Sequence, residues 1–123
     1  KMSCCVSEQV DPPDDEGYYY VCKFNELQEG KPFVTRINRR DVSVWKIKVP
    51  KTRIYILANR CVHQGTPLNT GDIEDIDGKM CIVCPGHGIA YDLQTGGSVN
   101  HKKLLIQKSY VVKKKGDEVW ARL

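Results

Sequence analysis

The chain has 123 residues, of which 28% are charged and 41% apolar, and its formal net charge is +4. That length gives one domain, and folding it can bury roughly two-thirds of the unfolded surface, so a core forms without covalent staples. A nucleic-acid binder is disfavoured, because residues 59–98 carry two basic residues against five acidic ones rather than a uniformly basic face.

The six cysteines, Cys4, Cys5, Cys22, Cys61, Cys81 and Cys84, have no spacing that suggests a secreted disulfide framework. No apolar run approaches the roughly 18 residues of a membrane helix, and no signal peptide opens the chain. The expectation is a soluble, cytoplasmic monomer with no nucleic-acid or membrane partner. The chain begins at Lys1 rather than at methionine, which suggests a trimmed chain or a piece of a longer one.

Residues 1–17 include Asp11-Pro12-Pro13-Asp14-Asp15-Glu16-Gly17. Proline and clustered acid disfavour regular structure, so this stretch reads as a flexible leader, with Cys4 and Cys5 as exposed thiols, or else lipidated or metal-binding ones. Tyr18 to Cys22 is aromatic and β-branched, a first strand. Asn25 to Lys31 is a polar connection with room for a helical turn. Phe33 to Ile37 reads as a strand, and Asn38 to Asp41 as a turn. Val42 to Val49 is a strand of ambiguous phase: Val42 and Val44 share one parity, and Trp45, Ile47 and Val49 the other. A bulge near Trp45 would reconcile them. Arg53 to Ala58 follows, with apolar residues on both parities, and delivers Cys61.

Asp77-Gly78 between apolar runs is a hairpin signal. Its second strand, Met80 to Val83, delivers Cys84. Tyr91 to Leu93 is a short strand, and Ser98 to Gln107 has no clear pattern. Ser109 to Lys114 and Val119 to Leu123 form a last hairpin. Many short strands with frequent turns predict an all-β barrel or sandwich. Cys22 and Cys81 sit in strand-like runs and read as small buried apolar residues. Lys102-Lys103 and Lys113-Lys114-Lys115 read as a solvated strand face, or else a docking patch for an acidic partner. His101, beside two lysines, reads as solvated.

Two short motifs remain. Cys61-Val62-His63-Gln64-Gly65-Thr66-Pro67-Leu68 and Cys84-Pro85-Gly86-His87-Gly88 each offer one thiolate and one imidazole, with 20 residues between His63 and Cys84. Two sulfur and two nitrogen donors suit a tetrahedral zinc, or a [2Fe–2S] cluster with two cysteines on one iron and two histidines on the other. Gly65 and Gly88 follow the two pairs and permit tight turns close to a cluster.

The double pattern, continued by Tyr91-Asp92 and Thr95-Gly96, resembles the Rieske iron–sulfur family over about residues 18–123. The resemblance implies an antiparallel β-barrel-like base domain with a small inserted cluster-binding subdomain, near 59–98. It implies a [2Fe–2S] cluster with Cys61 and Cys84 on the inner iron and His63 and His87 on the outer one. Rieske proteins of the cytochrome complexes join the two loops by a disulfide, at positions matching Thr66 and Gly86 here. This chain therefore looks like the ferredoxin-type or oxygenase-type branch. Ile89 stands where those proteins carry a serine, while the matching tyrosine is kept as Tyr91. The family's proline-containing third loop has no evident counterpart after Gly97.

The function implied is one-electron transfer by a ferredoxin, from a flavin-containing reductase to an oxygenase, with no turnover by the chain alone. A Rieske domain of a larger oxygenase or flavoprotein oxidoreductase is the alternative, and a zinc-stabilised interaction module a further one. Rieske potentials span roughly −150 to +300 mV. With Ile89 supplying no donor and acids nearby, the lower half of that range is expected. The potential should also fall as pH rises, because an oxidised cluster releases protons from its imidazoles more readily.

Overall fold

A computed structural model describes the backbone of residues 8 and 9 and the whole of residues 12–48 and 50–123. Ten strands and two short 3₁₀ turns make it up, in line with the all-β expectation. Seven strands curl into a near-closed barrel in the order β1-β3-β4-β5-β9-β10-β2. These are β1 (Glu8–Gln9), β2 (Tyr18–Lys23), β3 (Pro32–Ile37), β4 (Arg40–Lys48), β5 (Thr52–Ala58), β9 (Ser109–Lys115) and β10 (Glu118–Arg122). All neighbours are antiparallel except β1 and β3, which run parallel. A second sheet holds β6 (Asp72–Ile76), β7 (Lys79–Val83) and β8 (Ala90–Asp92). Among the described residues no helix is long and apolar enough to cross a membrane.

The ambiguous phase of β4 has a different cause from the bulge expected near Trp45. The ladder from Val42↔Ala58 to Lys48↔Thr52 is unbroken, and so is the one with β3. Both faces of the strand are buried, each in its own core. Val42 and Val44 pack inside the barrel with Val21, Ile37, Ile56 and Val119. Trp45 and Ile47 point outward into a second core with Leu68, Ile82, Tyr91 and Leu93. β5 divides the same way, with Ile54 and Ile56 inward and Tyr55 and Leu57 outward. Two-sided burial gives an apolar run without alternation. The register shift that does occur lies between β2 and β10, at Val119/Trp120. Val49 lies outside the described residues.

The end of the expected leader is tied down. Asp14 accepts hydrogen bonds from the amides of Glu16 and Tyr18, and its other oxygen faces Lys115 at 2.7 Å and Lys113 at 3.1 Å. The Lys115 hydrogen bond is the largest influence on the Asp14 carboxyl and holds it far below the ordinary carboxylate range. Acid clustered beside prolines here caps a turn against basic strand β9. Cys4 and Cys5 lie outside the described residues.

Asp77 and Gly78 both have positive φ, 53° and 85°, as a two-residue hairpin turn requires. The hairpin they close carries Glu74, Asp75 and Asp77 toward its tip. The other end, where Asp72 pairs with Val83, is the end that delivers Cys84. Glu74, Asp75 and Asp77 therefore lie roughly 10 Å or more along the strand from the cysteine.

Candidate metal centre

Each motif sits on a loop at the end of a strand, and the two loops share one backbone frame. The amide of Cys61 donates to the Thr66 carbonyl at 2.8 Å, and that of Cys84 to the Ile89 carbonyl at 2.8 Å. Gly65 N–H returns to the Cys61 carbonyl at 2.7 Å, and Gly88 N–H to the Cys84 carbonyl at 2.9 Å. In both loops, then, the glycine four residues on closes the turn. It does so with φ of 78° at Gly65 and 73° at Gly88, a region other residues enter only at a cost. The two loops differ by one residue in where the histidine falls within this frame.

The frame brings the four expected side chains together as two pairs, and no group of three or more of them is gathered for a metal ion among the described residues. Cys61 and Cys84 are buried at the edge of the outer core. The His63 and His87 rings meet edge to face with centroids 5.0 Å apart, His63 half-buried and His87 exposed. The donors thus form a thiol pair inside and an imidazole pair outside. They could hold a metal or cluster between the loop tips, with a sulfur end in the core and a nitrogen end at the surface.

Hydrogen bonding favours the thiolate of Cys61. Burial alone would push the Cys61 thiol up, but hydrogen bonds from the Tyr91 hydroxyl, the His63 amide, the Cys84 thiol and the Gln64 amide together bring it below its ordinary value. The Tyr91 oxygen lies 3.0 Å from Cys61 Sγ. Burial and the adjacent sulfur raise the Tyr91 hydroxyl, which keeps it a donor. The other two buried thiols behave oppositely: burial pushes Cys22 up to about 12 and raises Cys81, as inert core residues. Thr66 and Gly86 are neighbours, since a Cβ on Gly86 would lie 2.7 Å from Thr66 Oγ1.

Three residues in the patternless stretch 98–107 complete the site. Gln107 is buried and serves the first loop: its Oε1 accepts from Val62 N–H at 2.7 Å, and its Nε2 donates to the carbonyls of Ala58 and Arg60. Asn100 serves the second loop, accepting from Ala90 N–H and donating to the Gly88 carbonyl, both at 2.9 Å. His101, expected to be solvated, packs its ring against His63 with centroids 5.6 Å apart. This stretch, which contains no proline, lies against both loops. A local pattern had no means of revealing it, because each contact joins side chain to distant backbone or ring.

A family model described as the Rieske [2Fe-2S] domain matches residues 17–117. A human Rieske domain-containing protein is 34% identical over 86 residues, covering 68% of this chain and 53% of its own length. The chain thus spans about half the length of this curated relative. Among solved structures, the ferredoxin of carbazole 1,9a-dioxygenase from Nocardioides aromaticivorans superposes with a TM-score of 0.72 at 22% identity, over 85% of this chain and 96% of that one. A candidate small subunit of an NADH-dependent nitrite reductase from Mycobacterium tuberculosis gives 0.75 at 13% identity, over 85% and 92% of the two chains. These two likenesses concern the fold. With the family model matching most of the sequence, the chain belongs to the Rieske [2Fe–2S] domain family, and its cofactor is a [2Fe–2S] cluster.

Proposed function

We propose that Cys61 and Cys84 ligate the inner iron of the cluster and His63 and His87 the outer one. The domain that holds it spans 18–123, with a cluster-binding subdomain at about 59–98. The observation that carries this reading is the sorting of the four donors, thiols in the core and imidazoles at the surface, on two loops of one frame. The cluster supplies a reversible one-electron change. Tyr91 orients its hydroxyl to Cys61 Sγ, while Leu68, Ile82 and Ile89 keep water from the sulfur end. His63 and His87 offer the edge where a partner comes closest.

The chain acts as a ferredoxin-like electron carrier rather than an enzyme, taking electrons from a flavin-containing reductase and passing them to an oxygenase. The carbazole dioxygenase ferredoxin among its structural neighbours supports an oxygenase as partner. A second reading, a Rieske domain within a longer oxidoreductase, draws support from the human relative of about twice the matched length. Iron and sulfide analysis with EPR of the reduced protein tests the ligand assignment. Two irons and two sulfides with a mixed histidine–cysteine signal, lost in Cys61→Ser and in His87→Ala, is the expected result. Stoichiometric zinc, or an all-cysteine signal, would refute it.

A further inference from the structure

The barrel is incompletely laced on one side. β5 and β9 pair only at Ile56↔Tyr110 and Leu57↔Ser109, and their ladder stops there. Toward the Thr52 end of β5 the two strands frame a wedge-shaped cleft of about 370 Å³, lined by Thr52, Arg53, Ile54, Val112, Lys114 and Phe24. This is the end of β5 opposite the one that delivers Cys61.

Three inward-facing rows converge on the cleft and change character as they reach it. On β4 the row runs Val42, Val44, Lys46; on β5 it runs Ile56, Ile54, Thr52; on β9 it runs Tyr110, Val112, Lys114. The first two members of each row pack in the barrel core, and Phe24 packs with them. The last members are polar or cationic, and Lys46 stands beside Ile54 in the β4–β5 ladder. The rows therefore give the cleft an apolar floor and a cationic mouth.

Those cations have no counter-charge. The Lys46 and Lys114 Nζ atoms lie 4.4 and 4.1 Å from the centroid of the same Phe24 ring. Neither lysine makes an ion pair among the described residues, and neither does Arg53. Arg53 also lines an adjoining cleft that holds Asp75 and Asp92, beyond ion-pair reach of both. Lys113 and Lys115, on the other parity of β9, are by contrast engaged by Asp14 and Glu16. Two ammonium groups gathered at one ring repel each other. An anion seated beside them relieves that repulsion, while the ring offers it an apolar surface.

We propose that this cleft binds a small carboxylic acid with an apolar body, the body on Phe24, Ile54 and Val112 and the carboxylate at Lys46 and Lys114. The volume falls at the lower end of ordinary small-molecule sites, about 300–1,000 Å³. A wedge closed at Ile56 and Tyr110 suits such a molecule better than an added strand, which needs a slot that keeps about 4.8 Å from a sheet edge along its length.

Octanoate is the probe, titrated into the cluster-loaded protein and followed by ¹H–¹⁵N NMR. Saturable shifts are expected at the amides of Phe24, Ile54, Val112 and Lys114. Acetate should produce none, and octanol should bind about tenfold more weakly than octanoate. Lys46→Gln with Lys114→Gln should bring octanoate down to the affinity of octanol, whereas Lys46→Arg with Lys114→Arg should retain binding. The spectrum of each variant reports whether its fold is kept, and the octanol comparison in the unaltered protein decides the charge requirement without any substitution. Octanoate shifts that fail to saturate or that map elsewhere, octanol binding equal to octanoate, or an octanoate affinity unmoved in a folded glutamine variant would each overturn the proposal. The four expected cluster ligands take no part in the cleft, so its failure leaves their assignment standing.

Discussion

In the loop after Cys61, the backbone is held from beneath by a buried glutamine that makes three hydrogen bonds to it and to the strand before it. Asn59 adds a clamp to Asn69, and Arg60 reaches the Gly65 carbonyl. The loop after Cys84 has the same internal turn but is held mainly by Asn100, an exposed side chain with two hydrogen bonds. Pro85 to Gly88 lie in solvent. Identical frames with unequal supports make one loop an anchored wall of the site and the other its open side. The imidazoles follow suit, with His63 between His87 and His101 and His87 at the outside.

The largest disturbance to the anchored side should come from Gly96→Ala. Gly96 has φ of +81°, and an added Cβ would collide with the Gln107 carbonyl oxygen, so backbone must move. A loss of about 2–5 kcal/mol is expected in chemical denaturation, from left-handed strain plus overpacking. Cluster release should accelerate with it.

Gln107→Ala comes next. It strands the Val62 amide and the Ala58 and Arg60 carbonyls in a partly buried setting, at a cost of about 1–3 kcal/mol. Asn100→Ala removes an exposed bond to the Gly88 carbonyl, which water replaces, and a part-buried one to the Ala90 amide, and should cost about 1 kcal/mol, less than Gln107→Ala. Equal losses in the two variants, measured side by side in urea, would break the distinction between the loops.

Smaller changes touch the thiol pair alone. Tyr91→Phe removes the donor at Cys61 Sγ and should lower the reduction potential with little change in fold, because a hydrogen bond to sulfur favours the electron-rich state. Protein-film voltammetry would show it. A potential unchanged by the substitution would mean that the 3.0 Å contact is not made in the cluster-loaded protein.

Asp14→Asn should leave both loops and the potential untouched. Asp14 is a depressed carboxyl, so its contribution to stability is present above the ordinary carboxylate pKa and fades as pH falls below about 4. Wild type and variant should therefore differ in thermal midpoint at neutral pH and converge in acid.

The sequence made some of this plain and hid the rest for physical reasons. Cys61, His63, Cys84 and His87 stood out because cofactor chemistry demands those residue types at short range. Asp77-Gly78 stood out because few pairs adopt that turn. The two faces of β4 were harder. Val44 and Trp45 are neighbours buried in different cores, and a period-two reading takes such a run for a bulge. Gln107, Asn100 and His101 were invisible because their partners lie 45 to 49, 10 to 12 and 38 residues away in the chain. The acidic stretch 72–77 was legible as charge but not as position, since only the hairpin shows its tip pointing away from Cys84.

The most direct test is pulsed EPR of the reduced, cluster-loaded protein carrying ¹⁵N-labelled histidine. The account predicts strong coupling to two imidazole nitrogens in wild type. His63→Ala and His87→Ala should each lose that two-nitrogen pattern, while His101→Ala should keep it. Coupling that survives His87→Ala unchanged, or that disappears on replacing His101, would contradict the assignment of His63 and His87 to the outer iron.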